Sequence, residues 1–304
     1  MKWKPNKIAT RLGSWAFVRA QRWCVATSPE RAAAAGERIG RLAFRLSKKH
    51  RLRTLSNLAL AFPELSEEER RRLAVRVFEH FGRNAADFLR TELRTDQEVL
   101  ETTTVSGREH LDGAFALGRG VLVVTAHLGN WERGAHWFSA SGFPMSVVAR
   151  DANDSELNDL VLRMRRHAGA EVIPRGNAAR PILAKLKANG VVAILPDQNS
   201  SEAFVPFFGV PAGTVLGPAV LHLRTGAPLV PLACISTGVG RLHIEILPAR
   251  SYDRASGVKP EEIMADLNRD LESLIRRWPD QYLWLHDRWK SARRKGWIEA
   301  GRGS

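Results

Sequence analysis

Two cysteines in 304 residues, Cys24 and Cys234, allow one disulfide at most, which excludes a disulfide-stapled secreted module. They are read as reduced residues without assigned chemistry. No stretch approaches the roughly 18 consecutive apolar residues of an ordinary transmembrane span. The apolar patch Trp15–Val18 is short and is followed by Arg19 and Arg22, which argues against a cleavable signal peptide. GxSxG is missing, so a hydrolase-type serine nucleophile is unsupported. HExxH and clustered Cys/His are missing, and with them the warrant for zinc. GxGxxG and GxxxxGK[ST] are missing too, which removes the usual signs of a dinucleotide or a P-loop nucleotide. Internal repeats and linkers are not apparent.

Acidic residues are scarce at both ends. Residues 1–58 hold 14 Lys/Arg against Glu30 and Glu37, and residues 286–304 hold six Lys/Arg against Asp287 and Glu299. The formal charge of +14 therefore divides into +12, +4 and about −2 for the body between. Basic ends suit an anionic membrane surface or nucleic acid. No recognition motif supports nucleic acid, so none is expected as a partner. The length accommodates one large domain or two modest ones, with an ample core.

The N-terminus carries Ile8, Leu12, Trp15 and Arg19 at helical spacing, with Trp23 next and Lys4, Lys7, Arg11 and Arg22 around them. Such a helix either lies in a lipid headgroup layer or packs on its own domain. Ser28-Pro29-Glu30 reads as a cap with proline at the first helical position, and helical composition continues to 62. Pro63 ends that region. Ser66 with Glu69 forms a capping box for a helix to about Leu93, with Leu73, Val77, Phe81, Ala85 and Phe88 facing the core. After Gly107 the pattern changes. Residues 121–125, 191–195 and 229–232 read as buried strands, with 146–149 and 171–173 as shorter candidates. Helices are expected near 155–168, 178–189, 214–225 and 261–278, and Leu242–Leu247 as an edge strand. This alternation predicts an α/β fold with a largely parallel sheet covered on both faces. A basic helical extension (1–62), an α/β domain (63–295) and a flexible tail (296–304) follow.

Ligands of such sheets gather beyond the carboxyl ends of the strands. There the sequence reads VLVVTAHLGNWERG, with His127 past the first strong strand and Glu132 five residues on. In one continuous helix the two would stand roughly 140° apart. With His127 in a turn freed by Gly129 and Glu132 in a helix capped by Asn130, the chain folds back and they meet. Glu132 then fixes the imidazole tautomer while the other ring nitrogen takes a proton from a hydroxyl. The plainer alternative is a turn histidine bonded locally. His136 and His222 are read as packing residues. Phe204, Phe207 and Phe208 either line an acyl groove or form a proline-interrupted loop on the core.

These residues bear a resemblance. AHLGNWE with its HxxxxE motif, SNLALAFPELSEEER at 56–70, Arg150 with Asn153, RxxxG from Arg165 to Gly169, LPDQN at 195–199 and FVPFFGVPAGT at 204–214 occur in order. The chain resembles, from Arg38 to Trp289, the bacterial lipid A biosynthesis (late lauroyl/myristoyl) acyltransferase family, which includes phosphatidylinositol mannoside acyltransferases. The resemblance implies a glycerolipid-acyltransferase-like α/β sandwich at the cytoplasmic face of the bacterial inner membrane. It implies transfer of a fatty acyl group from acyl carrier protein or coenzyme A to a hydroxyl of a membrane glycolipid, with no further cofactor and no metal. His127 is then the general base and Glu132 its partner. Arg165 holds the acceptor or developing negative charge, Asp197 and Gln198 shape the site, and Asn130, Arg150 and Glu202 join them in binding substrate. Direct transfer without a covalent enzyme intermediate is expected. Many members have a strongly hydrophobic N-terminal anchor. The broken, cationic stretch here points instead to peripheral attachment to anionic lipids. A catalytically silent membrane-binding relative is the competing expectation.

Overall fold

A computed structural model of the chain describes residues 7–149 and 155–298. Four helices come first: α1 (Lys7–Ala26), α2 (Pro29–Leu46), α3 (Lys48–Ala61) and α4 (Glu67–Phe88). Their starts follow the side chains. Ser28 accepts from the Arg31 amide with Pro29 at the first helical position, and both arms of the Ser66–Glu69 capping box are present. The helical run from 28 is broken once, at Ser47, and α4 ends at Phe88 rather than near Leu93, a 3₁₀ turn covering Thr91–Leu93. α2 lies against α4 at Gly36, Gly40 and Gly82. A Cβ on Gly82 would stand 2.0 Å from the Gly36 carbonyl oxygen, so the backbones touch where side chains would hold them apart.

The remaining elements alternate. They are α5 (Asp96–Glu101), β1 (Thr103–Ser106), α6 (Arg108–Ala116), β2 (Val121–Val124), α7 (Trp131–Ala140), β3 (Met145–Ala149), α8 (Ser155–His167), β4 (Glu171–Pro174), α9 (Ala179–Lys187) and β5 (Val191–Ile194). A hairpin of β6 (Ala203–Phe207) and β7 (Val210–Thr214) follows, then α10 (Gly217–Thr225), β8 (Leu229–Gly238), β9 (Arg241–Ile246), α11 (Pro260–Arg277) and α12 (Lys290–Arg294). Seven strands form one sheet in the order β1-β9-β8-β2-β5-β3-β4. β8, β2, β5, β3 and β4 run parallel, whereas β9 is antiparallel to β8 and β1 is parallel to β9. The fold is therefore the expected α/β sandwich with a mostly parallel sheet and N-terminal helices. β9 is not an edge. β1, four residues with alternating burial, lies outside it, and so short a strand leaves almost no periodicity to read.

The 204–214 segment is a hairpin packed on the core. Phe208 (φ 52°) and Gly209 (φ 71°) form its two-residue turn, both left-handed as a turn of this twist demands. A phenylalanine tolerates that conformation here because its ring is packed by Phe62, Phe207 and Trp284, with Arg276 over its face. Phe204 meets the Trp297 ring edge-on.

No described helix is long and apolar enough to cross a membrane. On α1, Trp15 and Trp23 are exposed, with Arg19 over the Trp15 ring; on α2, Ile39, Leu42 and Leu46 are exposed as well. Lys4 and residues 299–304 of the expected tail lie outside the described residues.

Candidate active site

β2 is buried between β5 and β8, and its carboxyl end opens into the turn 125–130. Backbone bonds from two directions fix that turn. The Asn130 amide donates to the Cys234 carbonyl on β8 (2.6 Å), the Gly129 amide to the Gln281 carbonyl (3.0 Å), and the Leu283 amide to the His127 carbonyl (3.0 Å). Gly129 has φ 67°, and a Cβ there would stand 1.8 Å from the Cys234 oxygen, so only glycine fits. Asn130 caps α7 by accepting from the Arg133 amide (3.1 Å), as its type predicts.

The turn presents His127 to the end of the neighbouring strand. Asp197, just past β5, uses both carboxylate oxygens on this one residue. Oδ1 accepts from Nδ1 (2.8 Å) and Oδ2 from the backbone amide (2.9 Å). With Nδ1 so engaged, Nε2 is the acceptor nitrogen of the ring, met by the Gln198 amide nitrogen at 3.4 Å. The Trp131 ring meets the imidazole edge-on at 4.9 Å. The Asp197 side chain is 2% exposed and that of His127 19%, so the carboxylate is sealed and the imidazole is not.

The sequence expectation that Glu132 orients His127 is corrected by this geometry. α7 carries Glu132 away from Nδ1, and its carboxylate takes two bonds from Arg165, Nε to Oε2 at 3.0 Å and Nη2 to Oε1 at 2.5 Å. The RxxxG spacing has a local cause. Gly169 (φ 71°) ends α8, and its Cα lies so close to Ser139 of α7 that a Cβ would meet that side chain at 2.7 Å. Arg165 on the last turn of α8 thus faces Glu132 on the first turn of α7.

The charges act together. Burial lowers the His127 pKa, but the charge and hydrogen bond of Asp197 outweigh it, Glu132 adds to them, Arg165 opposes, and the net shift is upward. Burial raises Asp197, yet His127 and the buried Arg288 bring it below the ordinary carboxylate value. Burial alone pushes Cys234, packed under Gly134, up to about 12, which leaves a thiol rather than a nucleophilic thiolate.

A cavity of about 540 Å³ opens beside this cluster. His127, Trp131, Glu132, Arg165, Gln198 and Glu202 line it together with Arg175, and its apolar walls include Phe138, Met145, Val147, Ile182, Leu221 and Leu232. Five expected residues and Asp197 thus converge. Asn130 does not: its side chain is spent on the α7 cap and on Asp87 (2.6 Å), facing away from this cavity. Arg150 and Asn153 lie outside the described residues. None of Phe204, Phe207 and Phe208 lines the cavity. His136 and His222 are buried packing residues. His136 bonds Asp96 (2.9 Å), and His222 bonds the Ala227 carbonyl (2.8 Å) and the Tyr252 amide (2.9 Å). Sequence reasoning missed Tyr282 and Arg288. Tyr282 is buried, and burial together with Asp197 keeps its hydroxyl protonated. Arg288 donates to the Gly213 carbonyl and to Thr214 Oγ1, and its charge favours the Asp197 carboxylate. The aromatic, basic run 282–289 was their only signal.

Fold and site define an α/β protein with a carboxylate-locked histidine at the carboxyl edge of a parallel sheet, facing a largely apolar cavity. The chain belongs to the bacterial lipid A biosynthesis acyltransferase family, whose model matches residues 2–291, and it is an acyltransferase. It is 31% identical over 258 residues to the lipid A biosynthesis lauroyltransferase of Escherichia coli (strain K12), covering 83% of each chain. It is 29% identical to the palmitoleoyltransferase of the same organism, covering 84% of each. Over 142 residues, 45% of each chain, it is 31% identical to the phosphatidylinositol mannoside acyltransferase of Mycobacterium tuberculosis (strain CDC 1551 / Oshkosh).

Proposed function

We propose that this acyltransferase moves a fatty acyl chain from an acyl thioester, of acyl carrier protein or coenzyme A, to a hydroxyl of a membrane glycolipid such as a lipid A precursor. The observation that carries this reading is His127, with Nδ1 held by Asp197 and Nε2, an acceptor met only by the long Gln198 contact, beside a largely apolar cavity. An acceptor hydroxyl is a weak nucleophile until its proton can leave. His127 Nε2 takes that proton as the oxygen attacks the thioester carbonyl. The C–O bond forms, the carbonyl oxygen becomes an oxyanion, and collapse breaks the C–S bond. The leaving thiolate recovers the proton from the imidazolium. Arg165 and the Gln198 amide are the donors at hand for the oxyanion or for the acceptor. Glu132 positions Arg165, and its charge favours the imidazolium during transfer. Glu202 at the exposed rim and Arg150 are assigned to substrate binding. The high pKa of Cys234 supports direct transfer without an acyl-enzyme.

The test is incubation of the purified protein with acyl carrier protein and coenzyme A thioesters of defined length and a bacterial membrane lipid extract. One new glycolipid, heavier by one acyl chain, is expected by mass spectrometry. No acylated glycolipid with either donor would overturn the reading.

We infer peripheral attachment to anionic lipids at the cytoplasmic face of the inner membrane through the basic first 58 residues. Trp15, Trp23, Ile39, Leu42 and Leu46 would enter the headgroup layer beside the Lys/Arg side chains. Sedimentation with vesicles containing phosphatidylglycerol checks this. Binding should weaken as salt rises, because each cation near such a surface contributes about 1 kcal/mol and is screened within roughly 10 Å at 0.1 M salt. Binding should also drop in Trp15→Ala/Trp23→Ala. Equal binding to neutral vesicles at all salt concentrations would sink it.

A further inference from the structure

The start of α7 divides two cavities. Trp131 and Glu132 face the catalytic one, while Asn130 and Arg133 face a second of about 390 Å³. The long wall of this second cavity is a helical stripe on α4, His80, Arg83, Asn84 and Asp87, continued by Arg90 just past the end of the helix. The turn between β8 and β9 closes its rim.

Arg133 is the anomaly. The residue is 4% exposed. Its Nη2 donates to Thr102 Oγ1 and to the Gly240 carbonyl, each at 2.6 Å, which clips it to the β8–β9 turn. Its Nε and Nη1 are buried without a hydrogen-bond partner. The carboxylate in reach, Asp87, stands 3.8 Å from Nη1 and is already engaged by Arg94 and by Asn130. Asp87 thus serves two buried guanidiniums, and the exposed Glu98 adds only a weaker attraction to Arg133 without a hydrogen bond to it. Leaving a buried charge unpaired is costly, and a group this deep keeps its charge only with a counter-ion. The other charges around the cavity do not supply one. Arg83 is paired with Glu37, Arg90 is tied to the Cys24 and Thr27 carbonyls, and Asp280 is outnumbered by the four arginines of the lining. Arg241 at the rim is exposed, and its guanidinium has no hydrogen bond or ion pair among the described residues.

We propose that this second cavity is a phosphoryl-binding site, separate from the catalytic cavity, in which buried Arg133 and rim Arg241 hold the anion. A phosphoryl group fits the chemistry because it accepts several N–H donors at once and its charge balances two guanidiniums. The neutral polar lining, Asn84, Ser236 and Gln281, is bonded within itself, Gln281 to the Ser236 backbone and Ser236 Oγ to Asn84, and makes a fixed polar wall that suits an acyl chain poorly. Arg133 of this cavity and Glu132 of the catalytic one share the first turn of α7, so the two sites are separated by that turn. Binding of phosphate is independent of the reaction proposed above.

The experiment uses the full-length protein and inorganic phosphate, followed by thermal melting against chloride at matched ionic strength. A saturable rise in melting temperature is expected. Arg241→Gln should weaken phosphate about tenfold, the loss of one charge-assisted contact. Arg133→Met should abolish the rise. Arg165→Gln, which alters only the catalytic cavity, should bind phosphate as the unaltered protein does. Should Arg133→Met not fold, Arg241→Gln decides alone. The proposal is overturned by no saturable rise, by an unchanged rise in Arg241→Gln, or by its loss in Arg165→Gln. Competition calorimetry then separates the sources of the group. Displacement of phosphate by 4′-phosphopantetheine marks an acyl donor, and displacement by a hexose 1-phosphate marks a glycolipid headgroup. Displacement by neither, with phosphate still bound, marks the free anion.

Discussion

His127→Asn is expected to lower acyl transfer by about 10²–10⁴-fold while the protein stays folded. The asparagine amide can replace Nδ1–H as donor to Asp197, but it offers nothing at the position of Nε2. His127→Ala should lose as much activity and, in addition, stability, because the buried Asp197 would lose its bond to the imidazole while keeping the backbone amide. Asp197→Asn tests positioning rather than proton transfer. Its rate should fall on a similar scale, and its pH profile should move. In the unaltered protein the rate should rise with pH through a limb centred above the ordinary histidine value of 6.5, since Asp197 favours the imidazolium. Asp197→Asn should carry that limb to lower pH. A limb that stays in place would remove Asp197 from the mechanism. The same pair shapes stability. The raised His127 value contributes stability below its unfolded pKa, lost as pH rises through the folded one. The lowered Asp197 value contributes above 3.8, lost as pH falls through the folded value.

His80 should govern acid stability. It is buried on α4, with Asn84 Nδ2 at 2.8 Å from its Nε2 and the Gly129 carbonyl at 3.4 Å. Burial is the main cause that brings it from 6.5 to about 4, the Gly129 carbonyl opposing and Arg83 assisting. A histidine depressed on folding gives stability above its unfolded pKa and loses it as pH falls toward the folded value. The gap corresponds to roughly 3 kcal/mol. Urea unfolding at about pH 7 and about pH 4.5 should show that loss in the unaltered protein and a smaller one in His80→Gln. Equal losses in both would assign acid sensitivity elsewhere. Because His80 and Asn84 also hold the Gly129 carbonyl, acid unfolding is expected to begin beneath the catalytic turn.

What could be read in the sequence follows from range. β2, β5 and β8 are continuous apolar runs because both of their faces are covered, and such runs announce themselves. The capping box, the Asn130 cap and the place of His127 beyond β2 are local, and all were legible. The partner of His127 was not. Spacing suggested Glu132, five residues away, whereas the hydrogen bond goes to Asp197 on the adjacent strand's end, 70 residues distant. Sequence places two residues in one helix or turn readily. It does not say which strand lies beside which, and here β5 lies between β2 and β3. LPDQN could be recognised as a wall of the site without its aspartate being recognised as the imidazole's anchor. Asn130 caps α7 as expected but does not face the catalytic cavity, because its side chain is spent on α7 and Asp87. The hairpin 203–214 was obscured by its prolines and by a left-handed phenylalanine at a turn position where asparagine or glycine is usual.

The strap that holds the catalytic turn sets an order of events during synthesis. The His127 carbonyl waits for the Leu283 amide, Gly129 for Gln281, and Asn57 for the Trp284 carbonyl, 227 residues downstream. A nascent chain therefore leaves the ribosome with its histidine and both of its carboxylates already made, yet without the segment that gives the turn its shape. Acyl transfer is therefore expected only once residues 281–284 have emerged, and an arrested chain that stops short of them should carry every side chain of the proposed mechanism and no activity.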